Sequence, residues 1–459
     1  MYVEQLYTGC LAEAAYYVES NGEAAIIDPL RETQPYLELA KQRGATIKYV
    51  LETHFHADFV SGHVDLARQT GAKIVYGPGA KANFDLHVAT DGELLPLGEV
   101  QIKVLHTPGH TPESSCYLLI DEQGQDSAVF TGDTLFIGDV GRPDLAVKSD
   151  ITERDLAGML YDSLQNQILT LADDVTLYPG HGKGSQCGKN MSDETVSTIG
   201  EQRRVNYALQ PMSREAFVNS VLEGLSTPPQ YFPKNAVINK TGYEAIDAVM
   251  ARNLKALSPE AFAAAAESAL ILDTRDYNDF GAGFIPGAMG ISLDGDFAVW
   301  VGTLIEDLQT PLLLVAPADR IEESVLRLAR VGYENVIGYL EGGFDAWQAS
   351  GRPVETMPSV AATDVTLAQP LLDVRKCTEF ATLHVKGAIS VRLAQLQGRL
   401  AEVPQGNPLQ ITCKSGYRAM IAASLLRRAG YTNLAHVTGG MDALQQTNLT
   451  LEAAATELA

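Results

Sequence analysis

Histidine is unevenly spread along the chain: seven of the nine lie before residue 182. The densest run is Thr53-His54-Phe55-His56-Ala57-Asp58, which follows the apolar Tyr49-Val50-Leu51. Imidazole and carboxylate groups at alternate positions after a strand are expected to point one way, as a ligand set for a metal ion would. Further candidates follow at wide spacing: His110 in Thr107-Pro108-Gly109-His110, Asp133 in Thr131-Gly132-Asp133, and His181 in Pro179-Gly180-His181. Each closes an apolar run beside glycine or proline, where a tight turn brings a side chain to a site. A second chemistry lies far downstream, in Cys413-Lys414-Ser415-Gly416-Tyr417-Arg418, between a strand pattern and a helix pattern. Backbone N–H groups curling toward a sulfur at a helix N-terminus stabilise a thiolate, and Arg418 adds positive charge. Such a sulfur suits sulfane-sulfur transfer or phosphoryl hydrolysis.

Two kinds of architecture carry these groups. Over roughly residues 1 to 250, strand-like runs dominate, among them Ala24–Ile27, Lys73–Tyr76, Val100–Leu105, Ser115–Ile120 and Ala128–Phe130. The last third contains an internal repeat. Asp273-Thr274-Arg275 with Phe280 recurs as Asp373-Val374-Arg375 with Phe380, and Glu341-Gly342-Gly343 recurs as Thr438-Gly439-Gly440. Strand candidates Leu312–Val315 and Leu409–Thr412 precede expected helices over Ser324–Arg330 and Arg418–Ala429, so each copy reads as a parallel α/β sheet. A Pro-containing linker is expected near Arg352 to Thr363. Aligning Arg320 with Arg418 sets Val315 opposite Cys413, so the first copy lacks the thiol.

Taken together, the H-x-H-x-D run, a distant G-H, G-D and a final G-H resemble the metallo-β-lactamase superfamily. That resemblance implies an αββα sandwich with a metal at the edge between two sheets. Dinuclear zinc hydrolases of the superfamily carry a histidine directly after the motif aspartate, where this chain has Phe59. The stretches His56–His63, Gly132–Leu145 and Tyr178–Gly182 are similar to one branch, the persulfide dioxygenases. By that resemblance His54, His110 and Asp133 bind one Fe(II) per chain, with zinc able to occupy the site in purified protein. His56, Asp58 and His181 hold those ligands or serve as further ones. Cys187, in Gly184-Ser185-Gln186-Cys187-Gly188 and expected on an exposed, mobile loop near the metal, is a candidate for sulfur relay or substrate contact, as is Arg142. Four residues separate Cys413 from Arg418, one fewer than cysteine phosphatases use, and this smaller cradle resembles the rhodanese sulfurtransferases. The implied layout is a metallo-β-lactamase-like domain at 1–252 and two α/β rhodanese-like domains at 258–355 and 362–459, the second carrying Cys413 and Arg418. The implied activity is O2-dependent oxidation of a glutathione or coenzyme A persulfide to sulfite and thiol, coupled to sulfur transfer that gives thiosulfate. Two alternatives remain open: a zinc thioester hydrolase of the glyoxalase II kind, and a non-catalytic sulfane-sulfur carrier.

Composition narrows the field from the other side. The 459 residues are 46% hydrophobic and 20% charged, which fits globular domains and not a disordered chain. A net charge of −23 repels phosphate backbones and argues against nucleic acid as a partner. No apolar run approaches the roughly 18 residues of a bilayer span, and the N-terminus reads as lacking a secretory signal. Five scattered cysteines do not form a disulfide framework, so a reducing cytoplasm is expected. Of these, Cys10, Cys116 and Cys377 lie in apolar or strand patterns and are expected to be packed. A homo-oligomer is compatible with this reading.

Overall fold

In the strand Val100–His106, Val100, Ile102 and Val104 are buried while Gln101 faces water. This is the period-two signature of a sheet with one face on a core. The computed structural model describes residues 1–147, 150–225, 227–405 and 408–453, so the end of the last expected domain, 454–459, lies outside the described residues. The chain divides into two compact units, Met1–Ala248 with Ala329–Gly332, and Val249–Leu328 with Tyr333–Ala459.

The first unit is built on two six-stranded sheets. One runs in sequence order through β1 (Tyr2–Thr8), β2 (Glu13–Ser20), β3 (Glu23–Ile27), β4 (Thr46–Leu51), β5 (Lys73–Tyr76) and β6 (His87–Val88). The other contains β7 (Leu94–Leu97), β8 (Val100–His106), β9 (Ser115–Ile120), β10 (Asp126–Gly132), β11 (Thr176–Pro179) and β12 (Ser197–Thr198). Tyr16, Ile27, Leu51 and Val75 pack against Ile102, Tyr117 and Phe130 in the layer between them. Tyr17, Ile26 and Val50 pack under Tyr36, Ala40 and Leu66, from the helices Gln34–Arg43 and His63–Thr70. Leu118, Val129 and Leu177 pack under Leu160, Leu164 and Phe217, from the helices Glu153–Asn166 and Arg214–Leu222. The result is the four-layer αββα sandwich that the motifs implied.

The second unit holds the repeat as two parallel sheets of identical strand order. The first contains β13 (Ala256–Leu257), β14 (Leu270–Asp273), β15 (Met289–Gly290), β16 (Leu312–Val315) and β17 (Val336–Leu340), in the order β13-β17-β16-β14-β15. The second contains β18 (Ser359–Ala361), β19 (Leu371–Asp373), β21 (Ile389–Ser390), β22 (Leu409–Thr412) and β23 (Leu434–Thr438), in the order β18-β23-β22-β19-β21. Between them in sequence, β20 (His384–Val385) pairs with β24 (Leu451–Glu452). Three expectations shift here. The helices are Ile321–Ala329 and Tyr417–Arg428, each starting earlier because the loop residues before them already turn. The edge strand β18 falls inside the stretch expected as a linker, paired to β23 through Val360 and Val437. Finally, Asp273 faces Val315 while Asp373 faces Thr412, so Ala316, not Val315, stands in the place of Cys413. A Cβ on Gly343 would approach the Ala316 carbonyl, and one on Gly440 would approach that of Cys413, which fixes the same register independently. The thiol is absent from the first copy either way.

Gly132 ends β10 with φ +48°, and a Cβ there would overlap the Thr53 hydroxyl. Gly132→Ala is expected to lower unfolding stability of the first unit by about 1–3 kcal/mol, through left-handed backbone strain and the clash. Denaturant unfolding followed by tyrosine fluorescence measures this; a wild-type midpoint would contradict it.

Candidate functional site

Glu52, Thr53 and His54 emerge from the end of β4, where Val50 and Leu51 are anchored in the core. Asp28, at the end of β3, secures the turn by accepting from the Thr53 N–H at 2.7 Å and the Thr53 hydroxyl at 2.8 Å. Because that hydroxyl donates to Asp28, its oxygen accepts from His54 Nδ1–H at 3.0 Å, which leaves His54 Nε2 as the lone-pair donor. His110 Nδ1–H donates to the Arg142 carbonyl at 2.8 Å, leaving its Nε2 facing Asp133 Oδ2 at 3.5 Å. Asp133 Oδ1 accepts from His181 Nδ1–H at 2.8 Å, whereas Oδ2 is buried with no hydrogen-bond partner. One donor atom each from His54, His110 and Asp133 lie within 4.8 Å of one another, and all three side chains are buried. An orphaned carboxylate oxygen facing two imidazole lone pairs is costly unless a cation occupies the space between them, so these residues fit a metal.

The charges around this trio are arranged to keep it in ligating form. Burial, and next the proximity of His56, hold His54 well below its ordinary pKa, so the ring is neutral. His181 also donates Nε2–H to Asp58 Oδ2 at 2.7 Å. Burial alone would discharge His181, but Asp133 and Asp58 outweigh it and hold the ring well above its ordinary value. With both ring N–H groups committed, His181 holds Asp133 in place and is not itself available as a ligand in this arrangement.

The expected one-way aim of His54, His56 and Asp58 is corrected by the structure. Each joins a different group: His54 the trio above, His56 a cluster with Asp28 and Glu52, and Asp58 a cluster with His181 and Cys187. The period of two fails because no residue from 52 to 60 is in a strand. Asn239, on the helix Phe232–Thr241, ties this loop down through the carbonyls of His56 and Phe59, both at 2.8 Å, and the Ser61 N–H at 3.0 Å. His56 Nε2 lies 3.1 Å from Asp28 and 3.4 Å from Glu52, and Phe59 stacks on its ring at 4.3 Å. Phe59 thus fills with apolar surface the place after the motif aspartate.

Cys187 was expected on an exposed, mobile loop, yet it is 2% exposed. Burial, and next Asp58, push its thiol up, so it is protonated at neutral pH. The Arg142 guanidinium is held in a fork by Asp144, with both bonds at 2.7 Å, and also reaches the Gln186 carbonyl. Of the other cysteines expected to be packed, Cys116 is buried, Cys10 is half-buried and Cys377 is exposed at the start of the helix Cys377–Thr382. Three acidic groups at the site escaped sequence reasoning. Asp28 and Glu52 close apolar runs just as Asp133 does, which was a usable signal. Glu13, at the start of β2, carried none: both its oxygens are buried without a partner, and burial pushes its carboxyl well up.

In the second unit the Cys413 sulfur accepts from the Gly416 N–H at 3.1 Å, at the N-terminus of the helix Tyr417–Arg428. Among the described residues this is the one N–H that reaches the sulfur, where several were expected to curl toward it. Met441 and Asp442 N–H groups fix the loop from outside by bonding the Cys413 and Lys414 carbonyls. Arg418 is spoken for: Glu379 grips it in a fork at 2.7 and 2.8 Å. In the first copy Arg320 is bound instead by Asp294 and Glu323.

Comparison with known proteins bears on the two kinds of domain that carry these groups. The metallo-β-lactamase superfamily profile matches residues 8–181, and the rhodanese-like domain profile matches 258–350 and 360–447. Human mitochondrial persulfide dioxygenase ETHE1 is 34% identical over 209 residues, covering 45% of this chain and 73% of the human one. The chain belongs to the persulfide dioxygenase family of the metallo-β-lactamase superfamily. Two rhodanese-like domains follow its metal-binding domain. A probable hydroxyacylglutathione hydrolase of Schizosaccharomyces pombe is 35% identical over 161 residues, covering 34% of this chain and 58% of the hydrolase. Among solved structures, a metallo-β-lactamase from Staphylococcus aureus aligns over 74% of this chain and 98% of its own, with 28% identity and a TM-score of 0.66.

The geometry sets the candidate ligands His54, His110 and Asp133 apart from the residues that hold them. His110→Ala should abolish metal retention, whereas Asp58→Ala should leave most of the metal and lower activity about 10- to 100-fold. Metal analysis of both purified variants tests this. An empty site in Asp58→Ala with a full one in His110→Ala would reverse the assignment.

Proposed function

We propose that the first unit oxidises a low-molecular-weight thiol persulfide with O2, and that Cys413 moves sulfane sulfur. The observation that carries this reading is the division of Asp133: one oxygen is tied to His181, the other is free toward His54 and His110. Two imidazoles and one carboxylate with further positions open are the donor set of non-haem Fe(II) oxygenases. A zinc hydrolase that clamps two oxygens between paired metals would need His181 and a ligand at position 59. The first is bonded to two aspartates and the second is phenylalanine. We therefore assign one Fe(II) to each chain, with zinc as an adventitious occupant.

Bound iron would supply open positions that bring O2 and a persulfide sulfur together, the sulfane sulfur giving up the four electrons that O2 takes. The chain's own residues do the rest. Protonated His181 keeps Asp133 ionised and, bonded to Asp58 on its other side, holds it in place. Phe59 and the packed loop exclude water on the His56 side. The Cys187 thiol lies in a cluster with Asp58 and His181, and its protonated state supports contact with substrate more than attack on it. The balanced reaction is RSSH + O2 + H2O → RSH + SO3²⁻ + 2H⁺. Cys413 then accepts sulfane sulfur from a persulfide and passes it to sulfite: RSSH + SO3²⁻ → RSH + S2O3²⁻, with the enzyme persulfide between the two halves. Glutathione and coenzyme A persulfides are the proposed substrates. A cytoplasmic setting is part of the proposal, though the human relative is mitochondrial. Among the described residues no helix is long and apolar enough to cross a membrane.

Oxygen-electrode assays with glutathione persulfide, run beside thioester hydrolysis assays, test the proposal. Oxygen uptake by iron-loaded protein without thioester cleavage is expected; thioester cleavage without oxygen uptake would contradict it. Cys413→Ser should abolish thiosulfate:cyanide transfer and leave oxygen uptake on preformed persulfide within about twofold of wild type, because Cys413 and the metal trio lie in different units. Sulfur transfer surviving in that variant would remove Cys413 from its role.

A further inference from the structure

We infer that the thiol-less rhodanese copy is a working part of the Cys413 site: Tyr277 and the segment Ser292–Gly295 hold Gly416 and Tyr417 in the conformation that points an N–H at the sulfur. The inference rests on Cys413 being the reactive thiol, but not on which sulfur compound it carries.

Gly416 has φ +132°, a conformation that glycine adopts and residues with a Cβ rarely do, so its direction is set by what packs against it. Its support is the Tyr277 ring: a Cβ on Gly416 would sit 3.2 Å from Tyr277 Cε2 and 3.6 Å from its hydroxyl. The next residue is fixed by the same copy. The Tyr417 hydroxyl donates to the Ser292 carbonyl at 3.0 Å. Its ring meets Tyr277 edge-on at 6.4 Å, and lies so close over Gly295 that a Cβ there would fall 2.8 Å from Cζ. Behind the loop, Gly290 N–H donates to the Ser424 hydroxyl at 3.2 Å, docking the helix Tyr417–Arg428 onto β15. On the first copy these groups lie at the start of the helix Tyr277–Ala282, on the edge strand β15 and in the 292–295 segment that follows it, none of which carries a thiol.

The charged groups near the sulfur come mainly from its own copy: Arg418 in its fork with Glu379, the exposed Lys414, and Arg375 paired to Asp373. Asp294 and Asp296 of the first copy stand near the Tyr417 ring. A change at Tyr277 or at the Tyr417 hydroxyl leaves all of them in place. What it removes is the fixed direction of the Gly416 N–H, and with it the stabilisation of the thiolate. Tyr277 and Tyr417 are therefore positioning residues.

The test uses the full-length protein. Cys413 is alkylated with iodoacetamide across a pH range, and the modified peptide is quantified by mass spectrometry, which separates Cys413 from the exposed Cys377. In Tyr277→Ala and in Tyr417→Phe, the kinetic pKa of Cys413 should rise by about half a pH unit or more, a roughly threefold change in ionisation. The kcat for thiosulfate:cyanide transfer should fall with it, while KM changes little. Tyr277→Phe, which keeps the ring on Gly416, should restore both values. Unchanged kinetic pKa and kcat in Tyr277→Ala and Tyr417→Phe would overturn the inference. If Tyr277→Ala loses its thermal transition, Tyr417→Phe, which loses one hydroxyl, decides alone. A shifted kinetic pKa without any sulfur transfer in wild type would sustain the inference and overturn the proposed role of Cys413 instead.

Discussion

Asp133 has two carboxylate oxygens, and the first unit is organised around giving them different partners. Oδ1 takes an N–H from His181, which Asp58 grips from the other side, so a cationic ring is fixed between two carboxyl groups in a dry interior. Breaking such a buried arrangement by removing one member costs several kcal/mol, because it strands a charge. Oδ2, relieved of that duty, faces His54 and His110 with no donor of its own. The backbone must come very close for this to work. A Cβ on Gly141 would overlap the Asp133 carbonyl, and one on Gly180 would lie 2.9 Å from Asp133 Oδ1. The glycines beside the ligands are thus the condition for a compact metal centre between two sheets.

The thiol loop solves a related problem with fewer charges. A buried sulfur needs a donor to ionise, and Gly416 N–H is the donor recorded on it. Arg418 adds little free positive charge, since Glu379 holds both of its terminal nitrogens. The loop's selectivity therefore rests on backbone direction more than on a naked cation. That gives the silent copy a reason to remain: it has Ala316 where the thiol would be, yet its tyrosine and its 292–295 segment brace the neighbouring loop.

How much of this could be read from the sequence follows physical lines. Groups at the ends of apolar runs were legible, because a strand end next to glycine has few ways to present a side chain; His54, His110, Asp133 and Cys413 are of this kind. The αββα layers and the repeat were legible through their strand patterns and repeated D-x-R and Gly-Gly elements. Directions inside irregular backbone were not. His56 and Asp58 leave His54 for separate clusters, since no strand geometry governs the loop that carries them. Pairings across long separations were also hidden: Asn239 on the metal loop, Glu379 on Arg418 and Tyr277 on Gly416 are each set by tertiary packing. Cys187 was misjudged for the same reason, because its flanking glycines suggested exposure while the fold closes over it. A register slip of one residue placed Val315 where Ala316 stands, as loop-length differences between repeats readily cause.

We propose that a single redox metal sits among His54, His110 and Asp133 while His181 remains bonded to its two aspartates. Electron paramagnetic resonance of the anaerobic, iron-loaded protein treated with nitric oxide reads this directly. One iron per chain giving the half-integer-spin signal of a mononuclear ferrous–nitrosyl centre, with open positions beside its protein ligands, is the expected result. Two metals per chain, or iron that gives no such signal because a neighbouring metal couples to it, would contradict the account.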